Sequence, residues 1–163
     1  MPQEATGKTG VPSETRRKPE RPRDELGRPL PWGTETRLHL PDFDAMSIEE
    51  SDRAARKFLA EGNFFGAHEA WETAWKRAKG SGDEELFKGL SQLGAGYVHL
   101  LRGNAHGAMT LLRRAASRVQ RYPEGSRGID TAALAGRLED DALAVEAGTL
   151  VPGPQEAFVP PDL

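Results

Sequence analysis

Three residues at helical spacing carry the chemistry that this chain could perform: His68, Glu72 and Trp75. His68 and Glu72 stand four residues apart, so on a helix both point the same way, which is the geometry that two ligands of one metal ion need. At about 100° per residue, Phe64, Trp71 and Trp75 fall on the same third of the circumference as that pair. The polar pair is therefore expected on a buried aromatic side, where polar groups must find partners. Glu69 lies about 100° round from His68 and is the less favoured ligand. The run His68-Glu69-Ala70-Trp71-Glu72 departs from the H-E-x-x-H of zinc proteases at its last position, and no E-x-x-H of the di-iron bundles is present.

A second candidate group follows in the next helical stretch. Gly89, Gln92, Gly96, His99 and Gly103 repeat at 3-4-3-4 spacing, beside an ordinary core stripe of Leu86, Leu90, Leu93, Tyr97 and Leu100. Interior glycines cost about 1 kcal/mol each relative to alanine, so their column predicts that a helix or a ligand approaches the backbone closely there. If Gln92 and His99 face His68 and Glu72, two functions compete. A hydrogen-bonded network walled by Trp71, Trp75 and Tyr97 would set the register of the two helices, or line a pocket for a small molecule or protein, making the chain a non-catalytic binding or structural module. Alternatively, His68, Glu72 and His99 would hold zinc or iron with open positions, and Gln92 would orient a water or carbonyl, making a metal-dependent hydrolase. The network is the leading expectation. No cofactor is required by it. A third surface, Arg113, Arg114, Arg118 and Arg121, could meet an anion, RNA or an acidic partner, or could simply be a solvated face near a helix C-terminus. His39 and His106 suggest nothing beyond structure.

The elements that must position these groups are all helical. Ser47 with Glu50 forms a capping box ahead of a first helix that ends at Gly62. Asn63 caps a second, about 64–79, closed by Gly80-Ser-Gly82; Asp83 opens a third, about 84–102, closed by Gly103. Asn104 starts a fourth, about 105–121, stopped by Pro123, and Asp130 or Thr131 caps a fifth that ends near Gly148. No segment alternates like a strand. The expected fold is an all-α bundle of about five helices, residues 46–148, built from antiparallel helical hairpins. The turns Glu61-Gly-Asn63 and Arg102-Gly-Asn104 lie 41 residues apart and look like those of tetratricopeptide hairpins, but that repeat has a period of about 34 residues and no third copy appears.

Outside the bundle the 163-residue chain is rich in proline and poor in large apolar residues, and its hydrophobic content is only 37%. Residues 1–45 form a Pro-rich arm, disordered over 1–25, with 26–45 a strap anchored by Leu30 and Trp32; residues 149–163 form a Pro-rich tail. A net charge of −3 argues against bulk binding to nucleic acid. The absence of cysteine excludes disulfides, thiolate metal sites and a cysteine nucleophile. No stretch approaches the roughly 20 apolar residues of a membrane helix, nor is there a secretory leader, so a cytoplasmic protein without a membrane contact is expected.

The stretch Phe58-Leu-Ala-Glu-Gly-Asn-Phe-Phe-Gly-Ala-His-Glu-Ala-Trp-Glu-Thr-Ala-Trp75, followed by Gly89-Leu-Ser-Gln-Leu-Gly-Ala-Gly-Tyr-Val-His-Leu-Leu-Arg-Gly-Asn104, resembles the prokaryotic family domain-of-unknown-function 309. Its H-x-x-x-E-x-x-W/Y motif is matched by His68, Glu72 and Trp75. The resemblance covers about residues 47–122. It implies a compact helical bundle and a motif suggested to bind metal; it supplies no reaction, substrate or partner.

Overall fold

The computed structural model describes residues 20–163, so the disorder expected for residues 1–19 lies outside the described residues. Five α-helices follow one another: α1 Ile48–Ala60, α2 Phe64–Arg77, α3 Glu84–Leu101, α4 Ala105–Val119 and α5 Thr131–Ala147. Each packs on the next in sequence, and no β-strand occurs among the described residues, so the all-α bundle holds. Short side chains start most of the helices as anticipated. Ser47 accepts from the Glu50 amide, Asn63 from Gly66, Asn104 from Gly107 and Asp130 from Ala133, each satisfying a first-turn N–H. Gly148 closes α5 in the left-handed region at φ 76°.

Asp83 is the exception. It makes no capping bond; its carboxylate accepts instead from Arg127 Nε at 2.9 Å and Nη2 at 2.8 Å. Arg127 reaches it from the α4–α5 loop, where it adopts a left-handed backbone (φ 49°) and lays its guanidinium over Phe87, 4.8 Å from the ring centre. A long-range ion pair has displaced a local cap.

The α1–α2 and α3–α4 hairpins are copies of one device. Gly62-Asn-Phe-Phe-Gly-Ala67 and Gly103-Asn-Ala-His-Gly-Ala108 each turn the chain through a left-handed glycine, cap with Asn, and then place a glycine against the preceding helix. A Cβ on Gly66 would stand 2.9 Å from the Phe58 ring, and one on Gly107 would stand 2.9 Å from the His99 ring. Phe58 and His99 thus occupy equivalent positions eight residues before their glycines.

α3 is the central helix, packed by α2 on one side and α4 on the other. Leu86, Leu90, Leu93, Tyr97 and Leu100 are wholly buried, as the stripe predicted. The glycine column meets a helix. Beta carbons at Gly89 and Gly96 would lie 3.0 Å from Arg118 Cβ and 2.8 Å from Leu112 Cδ2, both on α4. At Gly89 and Gly96 the column is the α3–α4 seam, where small residues let two backbones approach; Gly103 instead turns the hairpin at φ 84° with nothing against it.

Both terminal segments lie on the bundle. The arm folds back on itself: the Leu30 amide donates to Pro22 O, and the Arg37 and Leu38 amides donate to Arg23 O. Residues 20–25, expected to be disordered, are part of this structure. Asp24 is its knot, buried and accepting from the Leu26 and Arg28 amides and from Arg28 Nε at 2.7 Å. Burial alone would raise the Asp24 carboxyl, but the Arg28 amide and guanidinium together hold it below the usual range. Trp32, expected as an anchor, is instead 62% exposed with Arg21 beside its ring; Leu30 is half-buried. The arm is held by backbone contacts, with Arg102 donating to Leu26 O and Gly27 seated where a Cβ would strike the Phe65 ring at 2.3 Å. At the other end, the Gly153 amide donates to Leu100 O at 2.8 Å. Phe158 packs on Phe64 and Tyr97, with centroids 6.0 and 5.3 Å away.

Candidate functional site

His68 sits in the first half of α2, where that helix passes close to Gly94 of α3. A Cβ on Gly94 would lie 2.8 Å from the His68 backbone nitrogen, so only glycine admits this approach. The approach delivers Ser91 to the imidazole. His68 Nδ1 stands 2.9 Å from Ser91 O and 3.0 Å from its hydroxyl, and that hydroxyl reaches His68 O at 3.3 Å. A carbonyl can only accept, so Nδ1 carries the proton and the tautomer is assigned by the network. Nε2 is left to face two carboxylates, Glu72 Oε2 at 3.4 Å and Glu69 Oε1 at 3.9 Å. Nε2 and the two carboxylates therefore converge on one space, the arrangement in which three donors can share a cation.

The ligand-capable atoms of His68, Glu69 and Glu72 all lie within 4.8 Å of one another. Ligands about 2.0–2.1 Å from a tetrahedral ion are themselves roughly 3.3–3.5 Å apart, so the set would close on zinc by drawing its carboxylates in by up to about 1.5 Å. Angle alone makes Glu69 the less favoured ligand. Its side chain is long enough to swing back across the 100° step, which backbone geometry does not reveal. Lys76 completes the row, donating to Glu72 Oε1 at 2.8 Å, and that bond and charge raise the Lys76 ammonium above its ordinary range.

The expected burial is not found. The side chains of His68 and Glu72 are 26% and 29% exposed. The aromatic side of α2 divides: Trp71 turns wholly inside and donates its indole N–H to Asp52 on α1 at 2.9 Å, while the His68–Glu72 stripe stays at the edge. Trp75 is half-buried under Lys88, whose Nζ is 5.3 Å from the ring centre; its Nε1 has no partner among the described residues.

The remaining sequence candidates point elsewhere. Gln92 lies in the α3–α4 seam and accepts from Arg118 Nη1 at 3.1 Å. His99 also faces α4, with Nδ1 3.0 Å from Asn104 Nδ2, so that nitrogen is the acceptor. Burial, then the charges of Arg102 and His68, hold His99 below its ordinary value. Its equivalence to Phe58 makes it a hairpin-packing residue, and its ligand atoms are not in the His68–Glu69–Glu72 group. Tyr97 is fully buried and donates to Asp141 on α5 at 2.6 Å, where Arg137 also binds; burial and that carboxylate drive the phenol pKa upward. Arg113 pairs with Glu146 at 2.7 Å and Arg118 with Glu85 at 3.0 Å, so two of the four arginines of the basic face serve the fold. Arg114 and Arg121 are exposed.

Glu69, Ser91 and Gly94 are the site residues that sequence reasoning missed. One signal was present: Gly94 is an interior helical glycine outside the Gly89–Gly96 column, which marks a second close approach on another side of α3. Next to the site, the arm and α2 border a half-open polar cavity of about 790 Å³ whose wall includes Glu69, Phe65, Arg21 and Arg23.

No helix among the described residues is long and apolar enough to cross a membrane. No curated protein and no solved structure matches the chain. The family comparison falls on the site itself, since α2, α3 and the His68–Glu72–Trp75 motif lie within the matched segment: over residues 53–111 the chain is similar to the family described as Domain of unknown function (DUF309).

Proposed function

We propose that the chain is a helical metal-binding module, in which His68 Nε2 and the carboxylates of Glu69 and Glu72 hold one divalent cation such as zinc or ferrous iron. The observation that carries this is the 2.9 Å contact of Nδ1 with Ser91 O, which assigns the ring proton to Nδ1 and leaves Nε2 facing two carboxylates. A backbone carbonyl on the non-ligating nitrogen is the usual support of a metal-binding histidine. One nitrogen and two carboxylate oxygens suit zinc or iron in donor chemistry. Three ligands also leave positions for water, and hydrolysis at such an ion is the enzymatic extension of the same reading.

Lys76 favours a second reading. With its ammonium on Glu72 and the His68 ring held by Ser91, the row acts without metal as a structural network at the α2–α3 edge. Elemental analysis and zinc titration of untagged protein separate the two. The metal reading expects near-stoichiometric zinc, and expects His68→Gln to weaken it by more than the roughly 10–100-fold typical of losing a supporting residue, with the melting temperature of the metal-free protein unchanged. Failure to bind zinc, together with a loss of about 1–3 kcal/mol of stability in His68→Gln, would leave the row as architecture.

A further inference from the structure

The cavity beside the cluster has a composition of its own. One wall is basic: Arg21 and Arg23 line it, and neither makes an ion pair among the described residues. Both are already positioned by the arm, Arg21 Nε on Leu30 O at 2.9 Å and Arg23 Nη1 on Gly27 O at 2.6 Å, with their remaining N–H groups uncommitted to those bonds. The Thr36 hydroxyl braces the Arg23 backbone, accepting from its amide at 3.1 Å, and Thr34 adds a second hydroxyl to the lining. Another part is apolar, with Leu38 and the Phe65 ring. Of its two acids, Glu20 is exposed, and Glu69 belongs to the proposed metal set.

We infer that this cavity binds a small phosphorylated molecule with a flat apolar body, its phosphate between the guanidinium groups of Arg21 and Arg23 and the cation at Glu69, its body against Leu38 and Phe65. Preset guanidinium forks suit phosphate oxygens, and the volume of about 790 Å³ is that of a small-molecule site rather than an ion site. The Glu69 end rests on the metal reading: a free carboxylate there repels an anion, whereas one shared with a divalent cation turns that wall attractive.

Calorimetric titration of the full chain with phenyl phosphate, with and without bound zinc, tests this. Zinc-loaded protein is expected to bind phenyl phosphate more tightly than metal-free protein, and more tightly than it binds inorganic phosphate. The double variant Arg21→Met, Arg23→Met is expected to weaken phenyl phosphate by roughly tenfold or more while its zinc affinity stays as in wild type. Arg21→Lys, Arg23→Lys, which keeps the charges but loses the forks and the bonds to Leu30 O and Gly27 O, is expected to bind more weakly than wild type but more tightly than the methionine variant. Equal weakening in both would trace the loss to a loosened arm and overturn the anion site. Absence of phenyl phosphate binding to zinc-loaded protein, or binding untouched in the methionine variant, would overturn the inference and leave the metal site standing. If zinc itself does not bind, the metal reading fails, and phenyl phosphate binding that still depends on the two arginines would uphold the anion site alone.

Discussion

Replacing Gly94 with alanine tests the packing on which the whole site depends. The added Cβ would sit 2.8 Å from the His68 nitrogen and 2.9 Å from its Cα and Cβ. Carbon contacts settle at about 3.5–4.0 Å, so α2 and α3 must part locally by roughly 0.7–1 Å. Backbone atoms, not the end of a flexible side chain, have to yield, which places the cost at the upper part of the range of about 1–3 kcal/mol for overpacking. Alanine returns about 1 kcal/mol through its better helix propensity. The net expectation is a loss of about 1–2 kcal/mol, or about 3–8 °C in melting temperature for a domain of this size. Gly136 provides the opposite case. It lies exposed inside α5, and a Cβ there would meet nothing within 4 Å. Gly136→Ala should therefore gain about 0.5–1 kcal/mol. Urea unfolding followed by far-ultraviolet circular dichroism measures both. A Gly94→Ala protein as stable as wild type, or two alanine variants shifting the same way, would refute the close approach that brings Ser91 to His68.

Three further outcomes follow from other contacts. Asp52→Ala strands the fully buried Trp71 indole N–H and should cost about 1–3 kcal/mol; an unchanged urea midpoint would show that the bond is not maintained. Phe158→Ala removes a half-buried ring from Phe64 and Tyr97 and should cost about 2 kcal/mol, checked by the same unfolding curve; no change would mean that the C-terminal segment leaves the bundle in solution. His99 is held below its ordinary value, so between that value and the lower folded one the unfolded chain binds more protons. Stability should therefore fall as pH drops below about 6.5 and level off beneath the folded value. The wild-type curve should lose its stability advantage over His99→Gln across that window, and a difference independent of pH would contradict the assignment.

Helix count, order and most boundaries were legible because the signals are local. Ser47, Asn63, Asn104 and Asp130 satisfy amides within one turn of themselves, and the stripe from Leu86 to Leu100 needs only the period of a helix to be read. Asp83 shows where that logic ends, because Arg127, 44 residues away, competes for the same carboxylate. The candidate site divides in the same way. His68 and Glu72 share a face by arithmetic alone, and the structure keeps them 3.4 Å apart. Which residues of α3 they meet is another matter. The seam holding Gln92 and His99 turns to α4, while Ser91 and Gly94, about one helical turn apart, turn to α2. Periodicity orders residues around a helix but carries no zero of angle. Only packing of that helix between two neighbours sets the rotation, and with it the burial of the site and the recruitment of Glu69, beside which the arm forms one wall of a half-open cavity.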